Sequence, residues 1–278
     1  MTHSAFSKQI GRLEEEVGTQ LLTRLPRGIR PTEAGRLLES HAQTVEASYR
    51  STMRLIDNTA KSQAQEITVG AGYYWQNGLL PRAIGQIASQ IPQARVRLVS
   101  GVPEALMSQL VSGDVDLVFG PLSFRQGYSD VVETESLLRT DSIILVRAGH
   151  AAHDGQNRSV DDLRSLRWVL PTGTHIRKSF QQLFENHGLT PPEPTVEAND
   201  IPAALELVAH SDLATLASSV SPSGGAWEGF GQVLCADLVG KRDTGILRRR
   251  HHALPKLAET LCSHVRELSA LHGQFRGD

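Results

Sequence analysis

Short apolar runs alternate with helix-forming segments through the middle of the chain, and this alternation limits the fold more than any other feature of the sequence. It predicts a strand, a helix, a strand, a helix and a strand in that order, at residues 67–72, 79–90, 94–99, 103–111 and 116–120. Strands and helices that alternate with such short connections are typical of a parallel α/β sheet with helices on its faces. A further strand is expected at residues 142–147.

A second unit with the same alternation follows a polar segment at residues 150–158. Its strands and helices are expected at residues 168–170, 176–187, 195–198, 201–210 and 213–217. After a loop rich in serine and glycine at residues 218–231, a strand at 247–250 is expected to return to the first unit, and Pro255 starts the last helix. We therefore predict two α/β subdomains, with subdomain I at about residues 67–148 and 246–272 and subdomain II at about residues 149–245.

The chain before residue 62 follows a helical pattern instead. Apolar residues recur at intervals of four, three and four, which is the apolar stripe of one helix, at Phe6, Ile10, Leu13 and Val17. An arginine-rich turn follows, with Gly28 at its tip, and Thr32 can cap a second helix that has no proline before about residue 60. A weak heptad seam on this second helix suits pairing with another helix, at Ala34, Leu38, His41, Val45, Ser48, Thr52 and Leu55.

Composition and charge exclude several classes of protein. The formal net charge of −2 means that any nucleic-acid site must be a local patch. One basic patch lies near the start, at Lys8, Arg12, Arg24, Arg27, Arg30 and Arg36. Another lies near the end, at Lys241, Arg242, Arg248, Arg249 and Arg250. The two cysteines lack the spacing of a disulfide scaffold or a zinc site, and no apolar run approaches the roughly 20 residues of a membrane span. We expect a reduced, cytoplasmic protein with no membrane partner.

The opening segment also carries a specific motif. Residues 7–24 read Ser-Lys-Gln-Ile-Gly-Arg-Leu-Glu-Glu-Glu-Val-Gly-Thr-Gln-Leu-Leu-Thr-Arg, and Arg-Gly and Thr-Glu-Ala-Gly follow. With this motif the chain resembles the LysR-type transcriptional regulators, and the resemblance extends over nearly its whole length. The positions that fit the family pattern are Thr2, Ser7, Lys8, Gln9, Ile10, Leu13, Glu14, Gly18, Leu21, Arg24, Arg27, Gly28, Thr32, Ala34 and Gly35.

The resemblance implies a three-part organisation. It predicts a partial winged helix-turn-helix at residues 1–31, a linker and dimerisation helix at 32–61, and an effector-binding domain with a periplasmic-binding-protein-like fold at 62–278. The family pattern has a first helix, and most of a second, before the position of Thr2, and this sequence begins after them. We expect either a start codon farther upstream or a truncated gene. Because Phe6 and Ile10 would pack against that first helix, its loss would remove part of their core.

The first site that the resemblance implies binds double-stranded promoter DNA. In helix-turn-helix proteins the start of the second helix enters the major groove, where hydroxyl and amino groups contact bases or phosphates. Arginines in the wing suit the sugar–phosphate backbone. The implied DNA-binding residues are His3, Ser4, Ser7, Lys8, Arg24, Arg27 and Arg30. The alternative for these residues is a solvated surface with incidental charge.

The second implied site is a cleft between the subdomains that binds a small organic effector of unknown identity. Ligands of open parallel sheets lie beyond the carboxyl ends of the strands, near helix N-termini. The candidate effector-binding residues are Tyr73, Tyr74, Trp75, Ser100, Gly101, Thr172, Thr174, His175, Asn199 and Asp200. Packing in a hinge is the alternative for the three aromatic residues, and a plain surface position is the alternative for His175. Because these loops are poor in lysine and arginine, the sequence does not require an anionic ligand.

No catalytic residue, metal site or cofactor emerges from the sequence, and we expect no enzyme activity. His150 and His153 have the spacing of two metal ligands but no third ligand, and residues 221–224 lack the arrangement of a nucleophile elbow. The prediction is a regulator that senses a small molecule and assembles as a homodimer or homotetramer. Two alternatives are a degenerate regulator that binds ligand and oligomerises without binding DNA, and a solute-binding protein of the periplasmic type.

Overall fold

The computed structural model of the chain describes residues 3–25, 28–61, 66–172, 175–219, 227–238 and 240–274. The helices are α1 (His3–Val17), α2 (Glu33–Lys61), α3 (Tyr73–Gln76), α4 (Leu79–Gln90), α5 (Pro103–Ser112), α6 (His175–Glu185), α7 (Ile201–Ala209) and α8 (Lys256–Gln274). The strands are β1 (Leu22–Leu25), β2 (Gly28–Pro31), β3 (Glu66–Ala71), β4 (Arg95–Ser100), β5 (Leu117–Pro121), β6 (Val132–Thr140), β7 (Ser142–Arg147), β8 (Arg167–Pro171), β9 (Val196–Ala198), β10 (Leu213–Ser218), β11 (Phe230–Val233) and β12 (Arg242–Arg249). They form an N-terminal unit and two α/β lobes, which confirms the predicted fold class.

The N-terminal unit consists of α1, the antiparallel hairpin of β1 and β2, and the long helix α2. Hydrogen bonds between distant residues join these parts. The Glu14 carboxylate near the end of α1 accepts from the backbone N–H groups of Leu21 and Leu22, at 2.8 and 3.1 Å. The Thr32 hydroxyl accepts from the N–H of Gly35, which caps α2, and donates to a carbonyl oxygen just before β1. Helix, hairpin and linker are therefore tied into one unit.

The first lobe is a five-stranded mixed sheet with the strand order β4-β3-β5-β12-β6. β3 runs parallel to β4 and β5, whereas β12 runs antiparallel to β5 and β6. α4 and α8 cover one face, where Leu80 and Leu261 are buried with Phe119. α5 covers the other face, where Leu110 packs with Val118. Both faces of the sheet are thus buried by helices.

The second lobe repeats this arrangement with the strand order β11-β7-β10-β8-β9. β8 is parallel to β9 and β10, and β7 is antiparallel to β10 and β11. On one face α6 packs Phe180 against Trp168, with ring centroids 4.8 Å apart. On the other face α7 buries Val208 with Val169.

The chain passes between the lobes at residues that differ from the predicted ones. β6 belongs to the first sheet, and β7 pairs with β10 and β11 of the second, so the first crossing is at Asp141. The return is at Gly240 and Lys241, because β12 begins at Arg242. These crossings correct the predicted subdomain boundaries at about residues 148/149 and 245/246. The correction arises because the sheet to which a strand belongs is decided by its pairing partners and not by its own sequence.

Gly245 in β12 is expected to tolerate no side chain, because a Cβ atom there would lie 2.1 Å from the carbonyl oxygen of Glu135 and 2.8 Å from the backbone nitrogen of Leu137. We expect Gly245→Ala to lower the free energy of unfolding by about 1–3 kcal/mol, measured by chemical unfolding followed by circular dichroism. The control is Gly85→Ala on α4, where a Cβ atom meets nothing within 4 Å. It is expected to be neutral or to stabilise by about 0.5–1 kcal/mol. Equal unfolding midpoints for the two variants would contradict this packing.

Candidate functional site

A cavity of about 380 Å³ lies between the two lobes. Residues that follow β3 and β4 line it from the first lobe, and residues that follow β8, β9 and the end of β10 line it from the second. The crossing segments complete the lining, with Thr140, Asp141, Ser142 and Arg242. Open α/β sheets bind ligands beyond the carboxyl ends of parallel strands, and small-molecule sites have volumes of about 300–1,000 Å³. Position and size therefore both fit a binding site for a small molecule.

Tyr73 and Tyr74, two of the predicted effector residues, supply an aromatic part of the lining. Their rings meet edge to face with centroids 5.2 Å apart, and Tyr74 makes a similar contact with Trp227 at 6.1 Å. The Tyr74 hydroxyl accepts a hydrogen bond of 3.0 Å from the backbone N–H of Ser218 in β10. Burial raises the pKa of both tyrosines, and nearby carboxylates add to the rise for Tyr73. Tyr74 is therefore a neutral side chain that links the two lobes directly.

Trp75, the third predicted aromatic residue, is mainly a core residue. Only 5% of it is exposed, and its ring packs against Phe119 with centroids 5.4 Å apart. Its indole N–H donates to the Thr244 hydroxyl at 2.6 Å, so it has no polar group left to offer a ligand. Although Trp75 borders the cavity, these contacts support the alternative interpretation of packing at the hinge.

The other predicted effector residues divide into two groups. Apart from Tyr73 and Tyr74, five of them line the cavity, namely Ser100, Gly101, Thr172, Asn199 and Asp200. The Asp200 carboxylate accepts from the N–H of Ala203 at 2.8 Å and caps α7, so its charge is used by the helix. Thr174 lies outside the described residues, and His175 is the first residue of α6 with a side chain that is likewise outside them.

Arg242 also lines the cavity; it belongs to the second basic patch of the sequence but was not among the predicted effector residues. It is the first residue of β12, directly after the chain returns to the first lobe. Its Nη2 donates to Ser179 Oγ on α6 at 2.5 Å and to Ser142 Oγ at the start of β7 at 3.3 Å. The sequence predicted that this strand begins at residue 247, which would leave Arg242 in a loop. The strand instead begins at Arg242, and this places the residue at the cavity.

The charge of Arg242 is paired with no carboxylate among the described residues. The adjacent Asp243 instead pairs with the exposed Arg139, with 3.1 Å between Nε and Oδ1. Burial lowers the pKa of Arg242, and the nearby Tyr74 partly offsets this effect. The guanidinium nevertheless stays protonated at neutral pH, as arginine side chains do in proteins. The cavity therefore contains a half-buried positive charge that is bonded to two neutral hydroxyl groups.

The predicted DNA-binding residues lie on α1 and around the hairpin. Lys8 is exposed and Ser7 half-buried on α1, and Arg30 is exposed on β2. Outside the described residues lie the side chains of His3, Ser4 and Arg24 and the whole of Arg27. α1 and the hairpin adjoin at a gap of about 100 Å³, whose lining includes Phe6 and Ile29. The helix and the wing-like hairpin are thus neighbours, as a winged helix-turn-helix requires.

α2 carries an exposed row of apolar side chains. The members of this row are between 42% and 69% exposed, namely Leu37, Val45, Tyr49, Met53 and Ile56. Of the predicted heptad seam, Val45 lies in this row, whereas Leu38 is half-buried and the Leu55 side chain is outside the described residues. Exposed apolar side chains that recur along one helix are typical of a surface that pairs with another helix. Neither α2 nor any other described helix is long and apolar enough to cross a membrane.

Within the described ranges, no group of three His, Cys, Asp or Glu residues is arranged to hold a metal ion. His150 Nδ1 accepts from a backbone N–H two residues on, and His153 Nδ1 bonds to the backbone of Gln232. Burial raises the pKa of Cys235, and it raises that of Cys262 to about 11, so both stay thiols at neutral pH. The cavity offers aromatic rings, hydroxyl groups, the Arg242 guanidinium and the carboxylates of Asp141 and Asp200, which is a set suited to binding.

Two family profiles match the chain. The profile of the LysR substrate binding domain matches residues 60–270. The profile of the bacterial regulatory helix-turn-helix protein, lysR family, matches residues 1–36. The first profile covers both lobes, and the second covers α1, the hairpin and the start of α2.

Two curated proteins that are similar to the chain are named as HTH-type transcriptional regulators. The chain is 30% identical over 224 residues to the HTH-type transcriptional regulator GalR of Pseudomonas putida, and the match covers 79% of this chain and 55% of that protein. It is 24% identical over 231 residues to the HTH-type transcriptional regulator GbpR of Azospirillum brasilense, and the match covers 81% of this chain and 67% of that protein. The match therefore spans about half the length of the first relative and two thirds of the second.

Solved structures show the same fold. HinK, a LysR family transcriptional regulator from Pseudomonas aeruginosa, has a TM-score of 0.62 and 23% identity, with coverage of 97% of this chain and 89% of that one. Full-length CbnR in complex with its target DNA has a TM-score of 0.54 and 22% identity, with coverage of 95% and 88%. The likeness includes the N-terminal unit as well as the lobes.

The hydrogen bond to the Tyr74 hydroxyl predicts a stability difference that depends on pH. At pH 7 we expect Tyr74→Phe to lower the free energy of unfolding by about 0.5–1.5 kcal/mol, because the Ser218 N–H loses its acceptor. Burial raises the pKa of Tyr74 in the folded chain, so the stability that this phenol contributes is complete below its unfolded pKa of about 10 and falls above it. The difference in the free energy of unfolding between wild type and variant, measured by urea unfolding, should therefore narrow above pH 10. If the two free energies instead change with pH in parallel, this phenol is not buried between the lobes.

Proposed function

Because the chain belongs to the LysR family of bacterial transcriptional regulators, we propose that it binds promoter DNA through its N-terminal unit and that a small molecule in the cavity modulates this binding. One observation carries the proposal. A LysR-type helix-turn-helix profile and a ligand-sized cavity between two lobes occur in the same chain. A ligand-responsive regulator needs both a DNA-binding part and a ligand-binding part. Because the protein would contact chromosomal DNA, we propose that it acts in the cytoplasm.

Contact with DNA is assigned to α1 and the hairpin. The exposed Lys8 and the neighbouring Ser7 belong to the helix that enters the major groove in helix-turn-helix proteins. Arg30 on the exposed hairpin suits the phosphate backbone. The further residues proposed for this contact are His3, Ser4, Arg24 and Arg27. CbnR, which shares the fold, has been solved with its target DNA, and this supports the assignment.

The effector is proposed to act on the angle between the lobes. Both lobes contribute to the cavity lining, and the bond between Tyr74 and Ser218 joins them beside it. A ligand that contacts two lobes at once stabilises the relative orientation in which its contacts are best. The residues proposed for these contacts are Tyr73, Tyr74, Ser100, Gly101, Thr172, Thr174, His175, Asn199 and Asp200.

We also propose that two copies of the chain pair through α2. The exposed apolar row of this helix is buried only if another surface covers it, and a second α2 offers a matching row. Paired helices bring two N-terminal units to neighbouring half-sites, which is how helix-turn-helix dimers read DNA. Two such dimers would form the homotetramer.

Lys8→Ala is expected to weaken binding to a promoter duplex that the wild-type chain selects from genomic DNA. If Lys8 neutralises a phosphate, the slope of the logarithm of the binding constant against the logarithm of salt concentration should fall by about 1, measured by fluorescence anisotropy. Lys178→Ala removes the same charge from the exposed face of α6 and should leave the slope unchanged. If both variants keep the wild-type slope, the proposed contact between α1 and DNA is refuted. Failure of the wild-type chain to select any duplex at low salt would favour the alternative of a ligand-binding oligomer that does not bind DNA.

The pairing of α2 predicts that charge on its apolar row prevents self-association. We expect the double variant Val45→Glu with Tyr49→Glu to sediment with at most half the mass of the wild-type dimer or tetramer, because four carboxylates would meet in each α2 interface. Glu39→Lys changes an exposed residue of the same helix away from the row and should keep the wild-type mass. If the double variant and the control sediment alike, the interface lies elsewhere.

A further inference from the structure

The tyrosines that follow β3 of the first lobe are seated in the second lobe. Tyr73 packs against a cluster of apolar side chains on the face of the second sheet that α7 covers. We call this cluster the socket, and its members are Ile143, Leu145, Ile201, Leu205, Ala217, Trp227 and Phe230. All of them belong to the second lobe. The first lobe therefore inserts an aromatic ring into a site that the second lobe supplies.

Tyr74 is bonded to the same part of the second lobe. Its hydroxyl accepts a hydrogen bond of 3.0 Å from the N–H of Ser218 at the end of β10. The carbonyl oxygen of Ser218 accepts from the Trp227 indole N–H at 2.9 Å. The rings of Tyr74 and Trp227 meet edge to face with centroids 6.1 Å apart, and Trp227 meets Phe230 in the same way at 5.8 Å. Trp227 thus fixes both the strand end and the ring that bonds to it.

The covalent connections between the lobes are short. The chain crosses once at Asp141 and returns at Gly240 and Lys241. Lobes that are joined by short segments can change their relative angle by hinge motion, so contacts between them decide which angle is populated. The contacts of the two tyrosines join the lobes in this way, and every partner in them is a group of the protein. The hold that they provide therefore requires no ligand.

Parts of the socket are separate from the cavity. Tyr73 and Tyr74 border the cavity, whereas Trp227 and Phe230 are not among its described lining residues. The tyrosines thus have one side toward the cavity and another toward the socket. A substitution of Trp227 changes the contact between the lobes without removing a group from the lining.

We propose that Tyr73 and Tyr74, seated in the socket, form a latch that holds the two lobes at this angle before an effector binds, and that Trp227 is the positioning residue of the latch. As a device of regulation, the latch rests on the function proposed above. A ligand that contacts the tyrosines from the cavity changes the free energy of the latched state relative to the unlatched one. It thereby shifts the population of lobe angles.

The test measures the distance between the lobes by double electron–electron resonance on the full chain without effector. Spin labels are attached through Gln86→Cys on α4 and Gln181→Cys on α6, both at exposed positions, after Cys235→Ser and Cys262→Ala remove the native thiols. Labelled chains are diluted in an excess of unlabelled chains, so that only distances within one chain contribute. We expect a single narrow distribution of distances for the chain with an intact latch.

Trp227→Leu is expected to raise the population outside this distribution by about 10-fold or more. The variant loses the hydrogen bond to Ser218 and the ring contact with Tyr74, and together these correspond to a change of that size in an equilibrium constant. Tyr74→Phe keeps the ring and loses only the acceptor, so its effect should be smaller. The control Phe184→Leu removes a buried ring from the other face of the second sheet and should keep the narrow distribution.

The inference is overturned if the chain with an intact latch already shows a broad distribution, or if Trp227→Leu leaves it narrow. It is also overturned if Phe184→Leu broadens the distribution as much, because the change would then reflect a weakened second lobe and not the latch. Should Trp227→Leu fail to fold, Tyr74→Phe decides, and an unchanged distribution in that variant overturns the inference.

A DNA-binding assay on the same variants separates the latch from the proposed function. The probe is the promoter duplex that the wild-type chain selects. If Trp227→Leu broadens the distances but keeps the wild-type affinity for this duplex, the latch is supported and the proposed link between lobe angle and DNA binding fails. If the variant changes the affinity while the distances stay narrow, the latch is overturned and the regulator remains.

Discussion

The arrangement of the two lobes depends on two crossing segments that are bonded to their surroundings and packed on each other. The Asp141 N–H donates to Ser219 Oγ at 2.9 Å, and its carbonyl oxygen accepts from the Ser219 N–H at 2.7 Å. The second crossing packs on the first where Gly240 leaves no space for a side chain beside Ser142. These contacts hold the two crossings together beside the cavity, and the second crossing leads into β12, whose first residue, Arg242, lines it.

Most helices and strands of the lobes could be predicted, because an amphipathic helix or a buried strand shows its period in its own residues. The pattern predicts α4 at residues 79–90, which are the bounds observed. β6 could not be found in this way. Its Glu133 and Glu135 pair with arginines of β12 and α8, so the strand lacks the apolar rhythm of a core strand. Nor could the sheet of residues 142–147 be known, since it depends on pairing with β10 and β11, which are distant in sequence.

The candidate site was predictable where it depends on local order. Parallel strands bring the residues after them to one edge, and for this reason Tyr73, Ser100 and Thr172 were accessible to sequence reasoning and line the cavity. Arg242 was not accessible, because its position depends on where the chain returns to the first sheet. Trp75 shows that a residue in the expected position can have another role. It follows the expected strand, yet its indole N–H donates to Thr244 and its ring packs in the core.

The joint between α1, the hairpin and α2 has a mechanical consequence. Because hydrogen bonds of Glu14 and Thr32 tie these parts together, α1 and the hairpin are expected to turn with α2 as one piece. α2 has 29 residues, so it is about 43 Å long at about 1.5 Å per residue. A lever arm of that length carries its far end through about 4 Å when it tilts by about 5°. One step along a duplex is about 3.4 Å, so a tilt of α2 by this small angle would move α1 and the hairpin by about one base pair.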